Sequence, residues 1–318
     1  MRLEYQVAVA FGLDVVLGDP RWLPHPVTLI GRLATWLEPP LRRLVPRSRL
    51  AGALEVAAVL GATGSLTWLV LRAMSWLHPT AGDLVSILLL YTCLAARDLV
   101  RHSCRVHQAL AVGDLVEARR RVALMVGRDT EQLDEAQVVR ATVESVAENL
   151  VDGVTAPLFF AVLAGPVGAM LYKAVNTLDS TFGYKNERWL HFGWASARLD
   201  DLVNWIPARL TAPLVPLAAA LLGLKPRNAL RTVLRDARRH PSPNAGFAEA
   251  AVAGALGVQL GGLNYYFGRA SERPRLGDPL QPLARHHILQ ANRLVLATSG
   301  LALLLFLLAR AAITGDAS

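Results

Sequence analysis

Carboxylates, carboxamides and fixed positive charges recur in one part of this sequence at spacings that suit a metal ion and phosphate groups. Between residues 127 and 244 they fall in short polar blocks, which are separated by apolar stretches. Carboxylate and amide oxygens are ligands that magnesium accepts, and a bound magnesium ion commonly bridges substrate phosphates. These polar blocks are therefore the candidate functional part of the chain.

One predicted helix, 131–152, carries the first acidic group. Four charged residues follow one another every four positions along it and share a face: Arg140, Glu144, Glu148 and Asp152. Pairing of Arg140 with Glu144 on a solvated face is the simpler alternative. The helix runs directly into an apolar segment, where an unpaired carboxylate is costly. We therefore favour a metal or substrate role for three residues of this helix: Glu148, Asn149 and Asp152.

A second group of carboxylates and amides follows the next apolar segment. Asn176 and Asp179 lie one helical turn apart. Asp200, Asp201 and Asn204 form another closely spaced set. Helix capping is the alternative role for Asp179 and Asp200, and metal ligation requires the sets to converge in space. We assign five carboxylates as candidate magnesium ligands: Glu148, Asp152, Asp179, Asp200 and Asp201.

Positive charges beside tight turns predict phosphate-binding positions. Lys185 lies in a predicted tight turn. Farther along, two arginines precede a turn with two prolines, and a helix begins at Ala245 with Ser242 or Asn244 as its cap. A capped helix N-terminus beside arginines binds anions, although membrane-proximal charge is the alternative. The residues assigned to substrate or phosphate binding are Arg128, Asn149, Asn176, Lys185, Asn186, Arg238, Arg239, Ser242 and Asn244.

The composition places these polar blocks in a membrane protein. The chain is 53% hydrophobic and 18% charged, whereas average soluble domains carry roughly 25% charged residues. A net charge of +8 suits anionic lipid or an anionic substrate. We exclude nucleic acid, because the arginines are scattered and no nucleic-acid-binding motif occurs. Cys93 and Cys104 form no CxxC pair, which predicts reduced thiols and no structural zinc.

Six apolar segments supply the candidate membrane helices. They are Tyr5–Gly18, Val56–Leu77, Leu84–Val100, Val154–Val175, Thr211–Leu224 and Leu294–Ala309. A full span needs about 20 apolar residues, and Gly165-Pro166 interrupts the fourth segment, so we interpret the fourth and fifth as buried or re-entrant. The arginines of the loops then place residues 101–292 on the cytoplasmic side as the functional core. We predict an all-α, multi-pass integral membrane protein, one domain over 1–318, with about four spanning helices.

The remaining pattern predicts further helices and no strand. Three helices outside the apolar segments are best supported: Arg97–Ala111, Leu115–Val126 and Glu131–Leu150. Thr130 is the predicted N-cap of the third. Residues 269–281 are rich in proline, glycine and charge, which favours a surface loop.

Long blocks that contain these residues carry a family resemblance. They are Leu17–Pro20 with Pro24–Val27, GRDTEQLDE (127–135), ESVAENLVDGVTAPLFF (144–160), YKAVNTLDSTFGYKN (172–186), ARLDDLVNWIPARLT (197–211) and DARRHPSPNAGFAEAAVAGALGVQLGG (236–262). In this order, over nearly the whole chain, they resemble the adenosylcobinamide-phosphate synthase family of cobalamin biosynthesis.

The resemblance implies a multi-pass enzyme of the cell (inner) membrane with a corrinoid substrate. It would join 1-amino-2-propanol, or its O-phosphate, to a propionate carboxylate of adenosylcobyric acid. Because a carboxylate and an ammonium do not condense usefully in water, we expect ATP and Mg²⁺ as cofactors. Catalytic roles fall to Glu144, Lys185 and His240, with His240 or Glu144 accepting the ammonium proton. Membrane lipid and other corrin-pathway membrane enzymes are the further partners expected.

Two alternatives stay open at the level of sequence. A membrane transferase could act on a diphosphate substrate, because Asp200-Asp201 is similar to the acidic pairs of prenyl transferases. A transporter, scaffold or corrinoid-binding subunit would carry out no chemistry. A transporter should hold its polar groups inside the spans and often shows repeated halves, and no repeat is visible here.

Overall fold

The computed structural model of this chain describes residues 1–19, 25–184 and 186–314. Helices dominate it, and the described part holds one small two-stranded sheet. Three continuous helical stretches of the described residues are long and apolar enough to cross a membrane: Ser48–Leu77, Glu135–Phe182 and His286–Thr314. These findings confirm the predicted class of a helical, multi-pass membrane protein.

The described elements follow one another along the chain in a simple order. The helices are α1 (Leu3–Leu17), α2 (Pro26–Leu44), α3 (Ser48–Leu77), α4 (Pro79–Tyr91), α5 (Ala96–Ala111), α6 (Leu115–Ala123), α7 (Glu135–Leu150), α8 (Ala156–Phe182), α9 (Trp194–Val203), α10 (Trp205–Leu221), α11 (Pro226–Asp236), α12 (Ala245–Leu256) and α13 (His286–Thr314). A π-helical turn, Val151–Thr155, joins α7 to α8, and the strands β1 (Leu260–Tyr266) and β2 (Arg269–Leu276) follow α12.

Two compact units make up the chain. The first contains Met1–Ala95, Ala156–Asn204 and Leu305–Ser318, and the second contains Ala96–Thr155 and Trp205–Leu304. The single domain expected over residues 1–318 stays a prediction.

In the first unit, α3 packs against α2, α4, α8 and α9. Gly52 permits a close approach to α3, because a Cβ there would lie 1.9 Å from the carbonyl oxygen of Phe192. The predicted interruption of the fourth apolar segment is confirmed, since Ala164 and Gly165 leave helical geometry and Gly165 has φ 63° immediately before Pro166. Whether this segment crosses the membrane stays a prediction.

In the second unit, α7 and α12 lie at the centre of the hydrophobic core. Helix α12 is rich in alanine and glycine and is buried over almost its whole length. At Gly254, a Cβ would lie 2.6 Å from the carbonyl oxygen of Asn228 on α11. Small side chains therefore bring α12 close to its neighbours, and they enclose the one carboxylate that this helix carries, Glu249.

Of the three helices predicted outside the apolar segments, α5 and α6 have the predicted bounds to within a turn, and the third begins four residues later than predicted. Helix α5 begins one residue before Arg97, and α6 ends at Ala123 rather than Val126. Helix α7 begins at Glu135 because Asp134, and not the predicted Thr130, forms its N-cap. The Asp134 carboxylate accepts the N–H of Gln137 at 2.7 Å, and the Gln137 side chain accepts the N–H of Asp134 at 2.9 Å. This capping box fixes the start of the helix.

The surface loop predicted over 269–281 is wrong for residues 269–276, which form β2 and pair antiparallel with β1. A distant carboxylate stabilises the hairpin turn. Asp129 accepts the N–H groups of Phe267 at 3.1 Å and Gly268 at 2.7 Å, and both turn residues have positive φ. A contact between residues 138 positions apart produces no local sequence signal. Strand β2 was therefore not predicted.

Candidate functional site

A cluster of opposite charges lies inside the second unit, between α7, α12 and the hairpin. We call it the glutamate–arginine cluster, and it consists of Arg128, Glu144, Glu148, His240, Glu249 and Arg273. Glu144 and Glu249 are buried, and so is Arg128, whereas Glu148 is exposed. Buried charges are costly unless they are paired and hydrogen-bonded, so the partners of each group decide what it can do.

Glu144 is fully engaged. Arg128 donates to its Oε2, and the backbone N–H of Gly261 donates to its Oε1 at 2.7 Å. Arg128 also donates to Asn264 Oδ1 at 2.7 Å. Arg140 lies 3.9 Å from Glu144 and instead donates to β1, including the carbonyl of Leu263 at 2.8 Å. The hairpin is therefore held against α7 by Glu144, Arg128 and Arg140. The charge of Arg128 is neutralised by the internal carboxylate of Glu144.

His240 faces Glu249 at the start of α12. Its Nε2 atom lies 3.5 Å from Glu249 Oε1, with side-chain exposures of 5% and 3%. The N–H of Ser242 donates to His240 Nδ1 at 3.0 Å, which assigns the ring proton of the neutral histidine to Nε2. Burial, helped by the charge of Arg273, lowers the pKa of His240 to about 4. His240 is therefore neutral at physiological pH, and its lone pair is already occupied.

Glu249 has the opposite character. Burial raises its pKa well above the ordinary value, and repulsion from Glu144 and Glu148 raises it further. Its Oε1 atom accepts no hydrogen bond from a protein group in this structure. When ionised, such a carboxylate is a strong base, since the protonated form is favoured.

Arg273 is the cation that faces these acids. Burial lowers the pKa of its guanidinium, but attraction to Tyr266 and to the three cluster glutamates outweighs burial, so the net pKa is raised. Its Nη2 donates to Tyr266 Oη at 2.7 Å. Neither Glu249 nor Arg273 is among the site residues predicted from the sequence. A lone carboxylate in an alanine-rich helix was a usable signal for Glu249, whereas Arg273 lay in the segment interpreted as a loop.

The turn between residues 236 and 245 is confirmed as a helix start, but its arginines have different surroundings. Asn244 is the N-cap residue of α12 and its side chain makes no capping hydrogen bond, while Ser242 Oγ accepts the N–H of Ala245 at 3.2 Å. Asn244 Oδ1 accepts from Arg209 at 3.2 Å. Arg239 pairs with Asp236 at 3.2 Å, while Arg238 is exposed. Asn149, on α7, donates back to the carbonyl of Ser145 at 2.9 Å.

A second acidic group lies in the first unit, where α8 meets α9. Burial raises the pKa of Asp200 to about 7, and repulsion from Asp179 adds to the rise, against hydrogen bonds from Asn204 and Asn176. Asn204 Nδ2 donates to Asp200 Oδ2 at 3.0 Å, and Tyr172 Oη donates to Asn204 Oδ1 at 2.9 Å. Two carboxylates and two amides are a hard oxygen donor set, which fits magnesium.

Other predicted residues of this region are placed as follows. Asp201 is adjacent to Asp200 on α9. Asn186 Oδ1 accepts the N–H of Trp189 at 3.0 Å and so caps a turn. Lys185, assigned to catalysis and phosphate binding, lies outside the described residues.

The predicted site residues thus fall into two groups by unit. Glu148 is on α7 and Asp152 lies in the π-helical turn, and such turns are frequent at functional sites. Asp179, Asp200 and Asp201 belong to the first unit. Within the described ranges, no three His, Cys, Asp or Glu side chains form a ready-made metal centre. Convergence of all five carboxylates stays a prediction.

Comparison with known proteins gives one consistent result. A sequence model of the family described as "CobD/Cbib protein" matches residues 7–295. A "Cobalamin biosynthesis protein CobD" of Geobacter metallireducens is 58% identical over 277 residues, which cover 87% of each chain. The protein of that name from Pelobacter propionicus is 52% identical, over 96% of this chain and 95% of its own. "Cobalamin biosynthesis protein CbiB" of Salmonella choleraesuis is 46% identical, over 96% and 97%. No solved structure matches.

Proposed function

This chain belongs to the CobD/CbiB protein family, and we propose from that premise that it forms an amide on a corrinoid. As a membrane protein of cobalamin biosynthesis, it would join 1-amino-2-propanol, or its O-phosphate, to a propionate carboxylate of adenosylcobyric acid. The product is adenosylcobinamide or its phosphate. The observation that carries the residue assignment is the buried Glu249, which faces a neutral histidine and has a free acceptor oxygen.

An amine must lose a proton before it attacks a carbonyl carbon. In this proposal the substrate ammonium enters beside Glu148, the exposed acid of the glutamate–arginine cluster, and donates to Glu249 Oε1. Glu249 first releases its own proton to solvent, because the positive charge of the ammonium stabilises the carboxylate. The carboxylate then takes the ammonium proton and leaves a neutral amine. Glu249 replaces the two acceptors expected from sequence, since Glu144 is saturated by Arg128 and Gly261.

His240 and Arg273 would position the reacting groups. The Nε2–H of His240 is a buried donor without a partner, so it would hold the hydroxyl or phosphate oxygen of the amino alcohol, or the carboxyl oxygen under attack. Arg273 keeps its charge and would stabilise negative charge that develops when the amine adds. The hairpin positions Arg273, and Asp129 and Arg128 hold the hairpin in place.

Activation of the carboxylate needs a phosphoryl donor. When bound, ATP and Mg²⁺ would supply an acyl phosphate, from which the amine displaces inorganic phosphate as the C–N bond forms. Asp179 and Asp200, with Asn176 and Asn204, are the residues proposed to hold magnesium. Glu148, Asp152 and Asp201 stay candidate ligands, and Arg238 a candidate phosphate contact. The proposed location is the inner membrane with residues 101–292 toward the cytoplasm.

Amide formation by purified protein tests the proposal. The protein in detergent is incubated with adenosylcobyric acid, ATP and magnesium, with aminopropanol or its phosphate in separate reactions, and the corrinoid product is weighed by mass spectrometry. We expect the mass of the amide, and its loss without nucleotide. Binding of adenosylcobyric acid with no amide under any nucleotide would make the chain a non-catalytic corrinoid-binding subunit. Turnover of a polyprenyl diphosphate would support the transferase alternative.

A further inference from the structure

Helix α11 presents an unusual outer face. Its inner face is formed by Ala229, Thr232 and Asp236, which are buried against the rest of the second unit. On the opposite face, Leu230 is 49% exposed and Leu234 is 78% exposed. Such large apolar exposure on a helix otherwise rich in arginine requires an explanation, because a polar outer face is the rule for soluble helices.

The exposed face is divided lengthwise into two rows. Leu230 and Leu234 are four residues apart and form one row, and Arg227 and Arg231 form the row beside it. Together with Arg235 they line one shallow groove along the helix. Leucine beside arginine, each in its own row, is the arrangement of a helix that lies in the plane of a membrane surface.

The arginines of the outer row are available for an external anion. In the part of the chain that the structure describes, Arg227 and Arg231 make no ion pair, and both are exposed. Arg235 differs, because it pairs with Asp236 at 2.7 Å and with Asp278 at 2.8 Å. The unneutralised row therefore complements negative charge outside the protein. Leu221, at the end of α10 and close before α11 in the chain, adds further exposed apolar surface at 73%.

We infer that α11 is an interfacial helix whose leucine row enters the acyl boundary of a bilayer and whose Arg227 and Arg231 bind the phosphates of anionic lipids. The surface belongs to a unit that also contains most of α13, a helix of membrane-crossing length. The same unit is therefore expected to contact a bilayer. Long arginine side chains reach from an apolar level to the headgroups. The inference does not depend on the reaction proposed above.

Depth-dependent quenching tests it in the full-length protein. The variant Leu234→Cys, made together with Cys104→Ser, is labelled with a fluorophore and reconstituted in nanodiscs of phosphatidylcholine and phosphatidylglycerol. A nitroxide is carried near the headgroup end of the acyl chain. The matched control is Gln132→Cys, an exposed polar position of the same unit. We expect strong quenching at position 234 and little at position 132.

A second arm tests the arginines. The nitroxide is placed on phosphatidylglycerol in one sample and on phosphatidylcholine in another at equal mole fraction. We expect at least about twofold stronger quenching by the anionic lipid, because each arginine near the surface favours anionic lipid, and loss of this preference in Arg227→Gln/Arg231→Gln. Arg120→Gln, an exposed arginine of α6, should keep the preference. Equal quenching at positions 234 and 132, or no quenching with self-association of the protein through α11, would overturn the inference.

Discussion

His240 Nε2 and Glu249 Oε1 lie 3.5 Å apart in the interior of the second unit, and neither atom has a hydrogen-bond partner in this structure. One is a donor, since Ser242 occupies the other ring nitrogen, and one is an acceptor. Buried polar groups without partners are rare and commonly mark a functional site. The pair therefore has one free donor and one free acceptor to offer a ligand. Burial lowers the pKa of His240 to about 4 and raises the pKa of Glu249 well above its ordinary value.

Glu249→Gln should abolish amide formation, by at least about 100-fold, because a proton acceptor is lost at nearly constant volume. The fold should survive, since glutamine resembles the protonated carboxyl that burial favours. Product formation is measured by mass spectrometry and folding by thermal unfolding in detergent. Glu117→Gln, which changes a partly exposed glutamate of α6, should stay fully active. Wild-type activity in Glu249→Gln would remove Glu249 from the chemistry.

The lowered pKa of His240 should make the stability of the folded protein depend on pH. The folded pKa of His240 is lowered to about 4, whereas the unfolded chain titrates near the usual value of about 6.5. The unfolded state then binds more protons between these values, so stability is present above pH 6.5 and falls as pH drops toward 4. His240→Gln should flatten this part of the curve of unfolding temperature against pH. An identical pH dependence in both proteins would contradict the assigned neutral ring.

Arg128→Gln should destabilise the protein by about 3–5 kcal/mol, because it leaves Glu144 buried without its cation. The double variant Arg128→Gln/Glu144→Gln should recover much of the loss, since the uncompensated charge is gone. Denaturant or thermal unfolding of the four proteins gives the coupling. Additive losses in the double variant would show that the ion pair does not govern stability here.

The stability of Asp200→Asn, compared with that of the wild type, tests whether Asp200 binds magnesium. The folded pKa of Asp200 is raised to about 7, so the folded state binds more protons than the unfolded chain below that pH, and the stability contribution is lost as pH rises through 7. Because the unfolded carboxyl titrates near its usual value of about 3.9, the loss is partial at pH 5 and complete above pH 7. Asp200→Asn should therefore raise the unfolding temperature much more at pH 8 than at pH 5. Magnesium should stabilise the wild type at pH 8 and leave Asp200→Asn unchanged, with exposed Glu187→Gln as the control. A magnesium effect of equal size in Asp200→Asn would place the ion elsewhere.

Leu190→Cys should resist an impermeant thiol reagent added to intact cells, because residues 101–292 are predicted to face the cytoplasm. Leu190 is 52% exposed, so burial alone would not protect it. The segment 78–83 has no Lys or Arg, which predicts that it lies outside. Thr80→Cys, at the start of α4, should therefore react and serves as the positive control. Efficient labelling at position 190 would mean that the helix interrupted at Gly165 crosses the membrane.

The local features of the fold could be predicted because local rules produce them. The start of α12 at Ala245 follows from a turn with two prolines, in which the hydroxyl of Ser242 accepts the N–H of Ala245. The break at Gly165 follows from glycine and proline geometry. The start of α7 was placed four residues early because two acceptable caps compete there, and only the reciprocal bonds of Asp134 and Gln137 decide between them.

The sequence by itself determined the membrane class, the start of α12, the bounds of α5 to within one residue and the polar blocks, since these depend on apolar periodicity and on residues within a turn of one another. Only the tertiary structure decided which charges meet. Arg128 finds Asn264 across 136 positions, and His240 faces Glu249 because close packing of small residues brings α12 into the core. Ion pairing depends on distances of a few ångströms between distant segments and on burial, which amplifies each charge. Neither these distances nor the burial of each charge can be derived from the spacing of residues along the chain.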